Sequence, residues 1–324
     1  NEGCSHGTVS GLPKSDHLYE DQPMMPRLFA LLLTSLLFCT ELSAETSYQP
    51  FVLASINDRG LAEQTETTIN ALEDAGFQLA GRYAPLPNAN VIVVTSPRLQ
   101  AIAAQTERGG YAAGQRVSVT ERDGRTEVSV VNPLYIQYAY RLGDGMEEIH
   151  GLLSKTLGNL EAFGTEEGRT AKKLGKYHYM VGMQRFDDPS ELASFDSYEA
   201  ALAAVERGLD RQGDALTQVY RIDLPGKEQT VFGVGMKATG ASDDEMDIDE
   251  AHQLSIVDFE GYSKVAYYPY ELLVNGNEVE ALHMRFRMAL HFPDLSMMGE
   301  HSFMKLKSSP GATEDAFESM LGAE

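Results

Sequence analysis

Residues 116–131 read Arg116-Val117-Ser118-Val119-Thr120-Glu121-Arg122-Asp123-Gly124-Arg125-Thr126-Glu127-Val128-Ser129-Val130-Val131. Two alternating, β-branched runs flank Asp-Gly, a pair that readily takes the left-handed backbone a tight hairpin demands. The stretch therefore predicts two antiparallel strands. Upstream, Pro50–Ile56, Phe77–Tyr83 and Val91–Thr95 also read as strands. Leu61, Thr65, Ile69 and Leu72 recur at helical spacing before Gly76, where a helix should stop. A short helix is expected from Arg98 to about Thr106, and Met146–Ala162 reads as a closing helix with Ile149, Leu152, Leu153, Thr156, Leu157 and Leu160 on one face. The order is β-α-β-β-β-β-α.

After a polar stretch at 164–175 the order recurs. Tyr177–Phe186 is the expected strand, and Tyr198, Ala201, Leu202, Val205 and Leu209 form a helical stripe with Asp196 and Glu199 as a capping pair. Strands are then expected at Leu216–Leu224, Thr230–Lys237, Lys264–Val274 and Glu278–Phe292, with Asn275-Gly276 as a second hairpin turn and a closing helix at Thr313–Leu321. The fold class is thus α+β: two β-α-β4-α modules, residues 45–165 and 174–324, each an antiparallel sheet with helices packed on one face, related by internal duplication. Such a layer pair can hold a cavity.

Residues 1–24 are polar and without periodicity and read as an upstream or tag-like segment. Residues 25–44 read as a signal peptide: Pro26-Arg27, then an apolar run from Leu28 to Phe38, then Leu42-Ser43-Ala44 as the cleavage region. The run is too short for the ~20 residues a membrane span needs, so the mature chain is expected to be exported, periplasmic or secreted from a bacterium, with no transmembrane segment. Both cysteines, Cys4 and Cys39, fall within the removed part. A mature chain without thiols excludes disulfides, cysteine nucleophiles and iron–sulfur clusters. The full sequence has 48 acidic residues against 26 basic ones, an excess that repels polyanions, and no nucleic-acid partner is expected.

The first module resembles the bacterial family called domain of unknown function 302. The resemblance covers about residues 50–140. It rests on Ala75-Gly76-Phe77, the strand Val91–Val94 running into Pro97-Arg98-Leu99, the strand Arg116-Val117-Ser118-Val119, the turn Asp123-Gly124, and Val130-Val131-Asn132-Pro133. The second module is a divergent copy, with Arg285-Phe286 near where Asn132-Pro133 would recur. Family members often carry Cys-Asn-Pro where this chain has Thr95-Ser96-Pro97, so a thiol-dependent role does not carry over. The resemblance implies a fold and no activity.

Residues 283–304 concentrate His283, His291 and His301 with Met284, Met288, Met297, Met298 and Met304. Without cysteine in an oxidising compartment, Met and His are the natural ligands for copper or a haem iron. Read as a strand, the segment turns Met284 and Met288 toward the core and sets His283 and His291 about 27 Å apart, at ~3.3 Å per residue, too far to share one metal. The candidate set is therefore His291, Met297, Met298, His301 and Met304, with Gly299 allowing the turn. Packing by adaptable methionines is the plainer reading.

Asp243–Glu250 carries acids at nearly every position but lacks the glycine and distal glutamate of an EF-hand, and reads as a solvated loop. Phe232-Gly233-Val234-Gly235 lacks the third glycine of a dinucleotide loop. No Gly-x-Ser-x-Gly or His-Glu-x-x-His occurs. Tyrosine-rich Val265–Tyr270 could line a ligand cavity or simply pack across strands. The sequence points first to an exported, non-enzymatic binding protein holding a small apolar ligand or a periplasmic protein partner in a sheet/helix concavity. The alternatives are a periplasmic copper or haem binder and an uncharacterised hydrolase. No cofactor is certain and no catalytic residue is singled out.

Overall fold

The computed structural model describes residues 45–240 and 242–322. The segments expected as an upstream stretch and a signal peptide, with both cysteines, lie outside the described residues. In chain order the first half contains β1 (Ser47–Tyr48), β2 (Phe51–Asn57), α1 (Leu61–Asp74), β3 (Gln78–Leu86), β4 (Ala89–Thr95), α2 (Pro97–Ala103), β5 (Gln115–Arg122), β6 (Arg125–Val131), α3 (Pro133–Ala139), α4 (Met146–Leu157) and β7 (Glu161–Phe163). A short pair, β8 (Arg169–Thr170) with β1, and the single turn α5 (Ala171–Leu174) lead onward. The second half contains β9 (Ser190–Ser194), α6 (Tyr198–Gln212), β10 (Leu216–Asp223), β11 (Gln229–Met236), α7 (Asp243–Ile248), α8 (Glu250–Val257), β12 (Tyr270–Asn275), β13 (Glu278–Ala281), α9 (Met284–His291) and α10 (Ser309–Leu321).

The fold is α+β with antiparallel sheets. The first sheet runs β3-β4-β5-β6-β2-β7 and the second β10-β11-β12-β13-β9. Taken in order of appearance, five strands of each sheet follow the same path, and α3 and α4 after β6 match α9 and α10 after β13. The hairpin turn at Asp123-Gly124 has positive φ at both residues, 54° and 73°, as its sequence demands. The second turn sits one residue later than expected: Asn275 pairs with Glu278, so Gly276-Asn277 makes the corner, with Gly276 at φ 59°.

Each sheet carries helices on one face and turns the other toward its neighbour. On the first sheet Ile92, Val94, Val117, Val119, Val128 and Val130 meet Ile69 and Leu72 of α1 and Ile149 and Leu153 of α4. The space between sheet and helices is filled by this core. The alternate residues, Val91, Val93, Arg116, Ser118 and Ser129, face the second sheet, where Tyr220, Gly233, Glu271 and Glu280 lie on the facing side. Both faces are therefore covered, which is why β4 and β5 are almost continuously buried. At one corner Gly81 of β3 lies directly against the backbone of Val219 in β10.

Several expectations for the second half are corrected. Tyr177–Phe186 forms no strand; the first strand is β9, and α6 is capped by Ser197, whose hydroxyl accepts from the Ala200 amide, rather than by Asp196. Pairing of 264–274 begins only at Tyr270, because Pro269 has no N–H to give a ladder. Asp243–Ile248 is helical rather than a loop, and Asp249, extended, caps the next helix, which begins at Glu250. Ser242 and Glu245 close a capping box at the start of α7, and Asp249 and Glu250 stand at the start of α8, where the backbone dipole favours negative charge. The largest departure is 278–292, where the strand ends at Ala281 and His283 caps the helix α9. Nearly every side chain of α9 is buried, so its apolar residues satisfy a period of two as well as one of 3.6, and the alternation misleads.

Candidate functional site

Helix α9 turns two chemically different faces to its surroundings. Arg287 and His291, one turn apart, point into the space between the sheets. Met284, Arg285, Met288 and Ala289 line a pocket of ≈220 Å³ on the other side. Three further methionines converge on it: Met183 from the turn after Tyr177, and Met297 and Met304 from the loop after α9. That loop is folded back on itself, with the Phe303 amide donating to the Ser296 carbonyl at 2.9 Å and the Met304 amide to the Met297 carbonyl at 3.3 Å. Gly299, at φ 121°, makes the reversal. The Tyr179 hydroxyl donates to the Met297 sulfur at 2.7 Å, and Thr313 donates to the Met284 sulfur at 3.6 Å.

Of the five residues singled out as ligands, the structure brings Met297 and Met304 together in this pocket. The other three lie elsewhere. His291 is fully buried, its ring 5.2 Å from Tyr267 and 5.9 Å from Phe51, and its Nδ1 stands 2.8 Å from the Arg287 carbonyl oxygen. Burial and the charges of Arg116 and Arg287 hold its pKa well below that of a free histidine, so the ring stays neutral. His301 stacks on Phe259 at 4.1 Å with Nδ1 near the Ile256 carbonyl, and Met298 is 79% exposed. Among the described residues no three His, Cys, Asp or Glu side chains are grouped to hold a metal ion.

Sequence reasoning missed Met183, Met284 and Met288 as pocket residues. The strand reading of 278–292 hid Met284 and Met288, whose spacing of four places them on one helical face. Met183 comes from an aperiodic segment that carries no signal of where it packs.

Two further polar features flank this region. Between the sheets, Arg116 Nη1 lies 2.8 Å from Glu271 Oε2, and the Tyr220 hydroxyl donates to Glu271 Oε1 at 2.7 Å. Arg287 donates from Nη2 to the carbonyls of Tyr267 and Pro269, with its guanidinium over the Tyr267 ring at 4.3 Å. At the other end, Glu250 borders a cleft of ≈600 Å³ beside the β3–β4 turn. Burial pushes its carboxyl up to about 8, and it accepts from the Tyr83 hydroxyl at 2.9 Å. Its neighbour Asp249 is engaged by the amides of Ala238 and His252, so Glu250 has no free acid–base partner beside it in the chain.

No family model matches the chain, and no curated protein does. It resembles a solved structure described as an uncharacterized conserved protein DUF302 from Bacillus stearothermophilus, with 16% identity over 32% of this chain and 93% of that one, at a TM-score of 0.30. No helix among the described residues is long and apolar enough to cross a membrane.

Proposed function

We propose that this chain is an exported, non-enzymatic binding protein that holds a small apolar ligand in the methionine-lined pocket. The observation that carries the reading is the convergence of five thioethers from three separate segments on one small cavity. Methionine is flexible and polarisable, and surfaces built from it adapt to apolar partners of varied shape. Isothermal titration of the full chain with octan-1-ol tests it. Saturable one-to-one binding is expected, and Met304→Glu, at a half-exposed position, should weaken it at least tenfold. Absence of saturable binding in the parent chain sinks the proposal.

A second reading, a soft-metal site, draws on Met297 and Met304 lying in one pocket, since thioethers suit Cu(I). Against it stand Arg285 and Lys307, which border the same pocket and repel a cation. Titration with Cu(I) under a competing chelator separates the two: micromolar or weaker binding, unchanged by Met297→Leu, removes the metal reading.

A further inference from the structure

The charged residues around the methionine pocket all have one sign. Arg285 projects from α9 between Met284 and Met288, and Lys307 lies just before α10; both are exposed. Neither forms an ion pair among the described residues, whereas most of the chain's other arginines do. Of the described lysines only Lys264 has a carboxylate partner, so what distinguishes this pair is position: two cations stand together at one apolar pocket of a protein whose net charge is −22. No acidic side chain lines the pocket. Pro310, in the first turn of α10, borders the same wall, so the positive end of that helix adds to the field.

A cavity of ≈220 Å³ accommodates about seven methylene-sized groups, taking each as comparable to the ~30 Å³ share of a liquid water. An apolar pocket of that volume with two unpaired cations at its rim suits an apolar ligand with an anionic head. We propose that the ligand is a medium-chain carboxylate, its alkyl chain among Met183, Met284, Met288, Met297 and Met304 and its head group between Arg285 and Lys307. This rests on the pocket being a binding site, and specifies what it binds.

Calorimetry of the full chain with octanoate, octan-1-ol and octyltrimethylammonium at neutral pH tests the inference. Octanoate should bind about tenfold more tightly than the alcohol, ~1.4 kcal/mol, as expected of two exposed charge pairs, and lose that advantage as salt is added. The Arg285→Gln/Lys307→Gln variant should lose the preference, binding octanoate and octanol with about equal affinity. Equal affinity for octanoate and octanol, or a double variant that still prefers octanoate, overturns the inference and leaves the apolar pocket standing. Preference for the ammonium overturns it by sign. If none of the three binds, the pocket reading falls as well.

Discussion

Gly81 approaches Val219 so closely that a Cβ at position 81 would stand 2.1 Å from the Val219 carbonyl oxygen. The obstacle is backbone, not the end of a flexible side chain, so neither strand can yield without moving. Gly81→Ala is therefore expected to destabilise the fold by roughly 1–3 kcal/mol or more, the range of overpacked cores. Gly151 supplies the contrast: it sits in α4 with nothing within 4 Å of the place a methyl group would occupy, and Gly151→Ala should stabilise by about 0.5–1 kcal/mol. Urea midpoints of the two variants, moving in opposite directions from the parent, check both.

The Arg116–Glu271 pair spans the two sheets with both partners buried. Glu271→Gln leaves Arg116 and Arg287 facing each other without a counter-charge, a loss of ~3–5 kcal/mol by the pattern of buried pairs broken on one side. Arg116→Met with Glu271→Met should cost distinctly less than the sum of the single changes. Additive free energies in this double-mutant cycle would mean that the two side chains do not interact.

Glu250 gives the pH curve a definite sign. In the folded chain burial keeps it protonated up to about 8, while in the unfolded chain it ionises near ~4.3. Between those values the folded state holds a proton that the unfolded state has released, so stability falls as pH rises, by at most ~1.4 kcal/mol per unit. His291 works the other way: below ~6.5 the unfolded chain takes up a proton that the buried ring refuses, so stability falls as acid is added. Glu250→Gln should flatten the decline above ~6.5 and, between ~4.3 and ~6.5, leave the His291 limb unopposed and therefore steeper. Parallel urea curves for parent and variant across this range would remove Glu250 from the account.

Oxidation should map the methionines by exposure. Met298 is 79% exposed, Met304 50% and Met297 41%, whereas Met284 and Met288 are 3% exposed. Limited peroxide treatment followed by peptide mass spectrometry should oxidise Met298 first and Met284 and Met288 last. Bound octanoate should protect Met297 and Met304 but not Met298.

The first half was largely legible because its signals are local. Asp123-Gly124 admits few conformations other than the turn it makes, and Ser96-Pro97 places a capping side chain before a proline that starts a helix. Asn132-Pro133 does the same before α3, a helix not expected, and the closing helix ends at Leu157, with β7 where its last residues were expected. The second half has such punctuators at Ser197, Ser242 and Asn275-Gly276, but none marks the start of α9. His283 caps α9 in the position that Asn132 holds before α3, yet histidine gives little warning of it. The pocket was legible only as a local density of methionine. Which sulfurs meet depends on α9 being a helix and on Met183 folding back onto it, and neither is written in the spacing of residues 283–304.

The pairing of the two sheet faces also has an order in time. The core beneath α1 and α4 is made wholly from residues between Ala54 and Leu153, so it can close while the rest of the chain is still being synthesised. The opposite face of the same sheet must wait: Tyr83 meets Glu250 across 167 residues and Arg108 meets Glu280 across 172. Contacts that distant form late. Until β10 to β13 are in place, a surface bearing Phe51, Leu53, Val91 and Val93 around the charge of Arg116 stands open to water, and the nascent chain carries its greatest risk of misassociation there, halfway through its own completion.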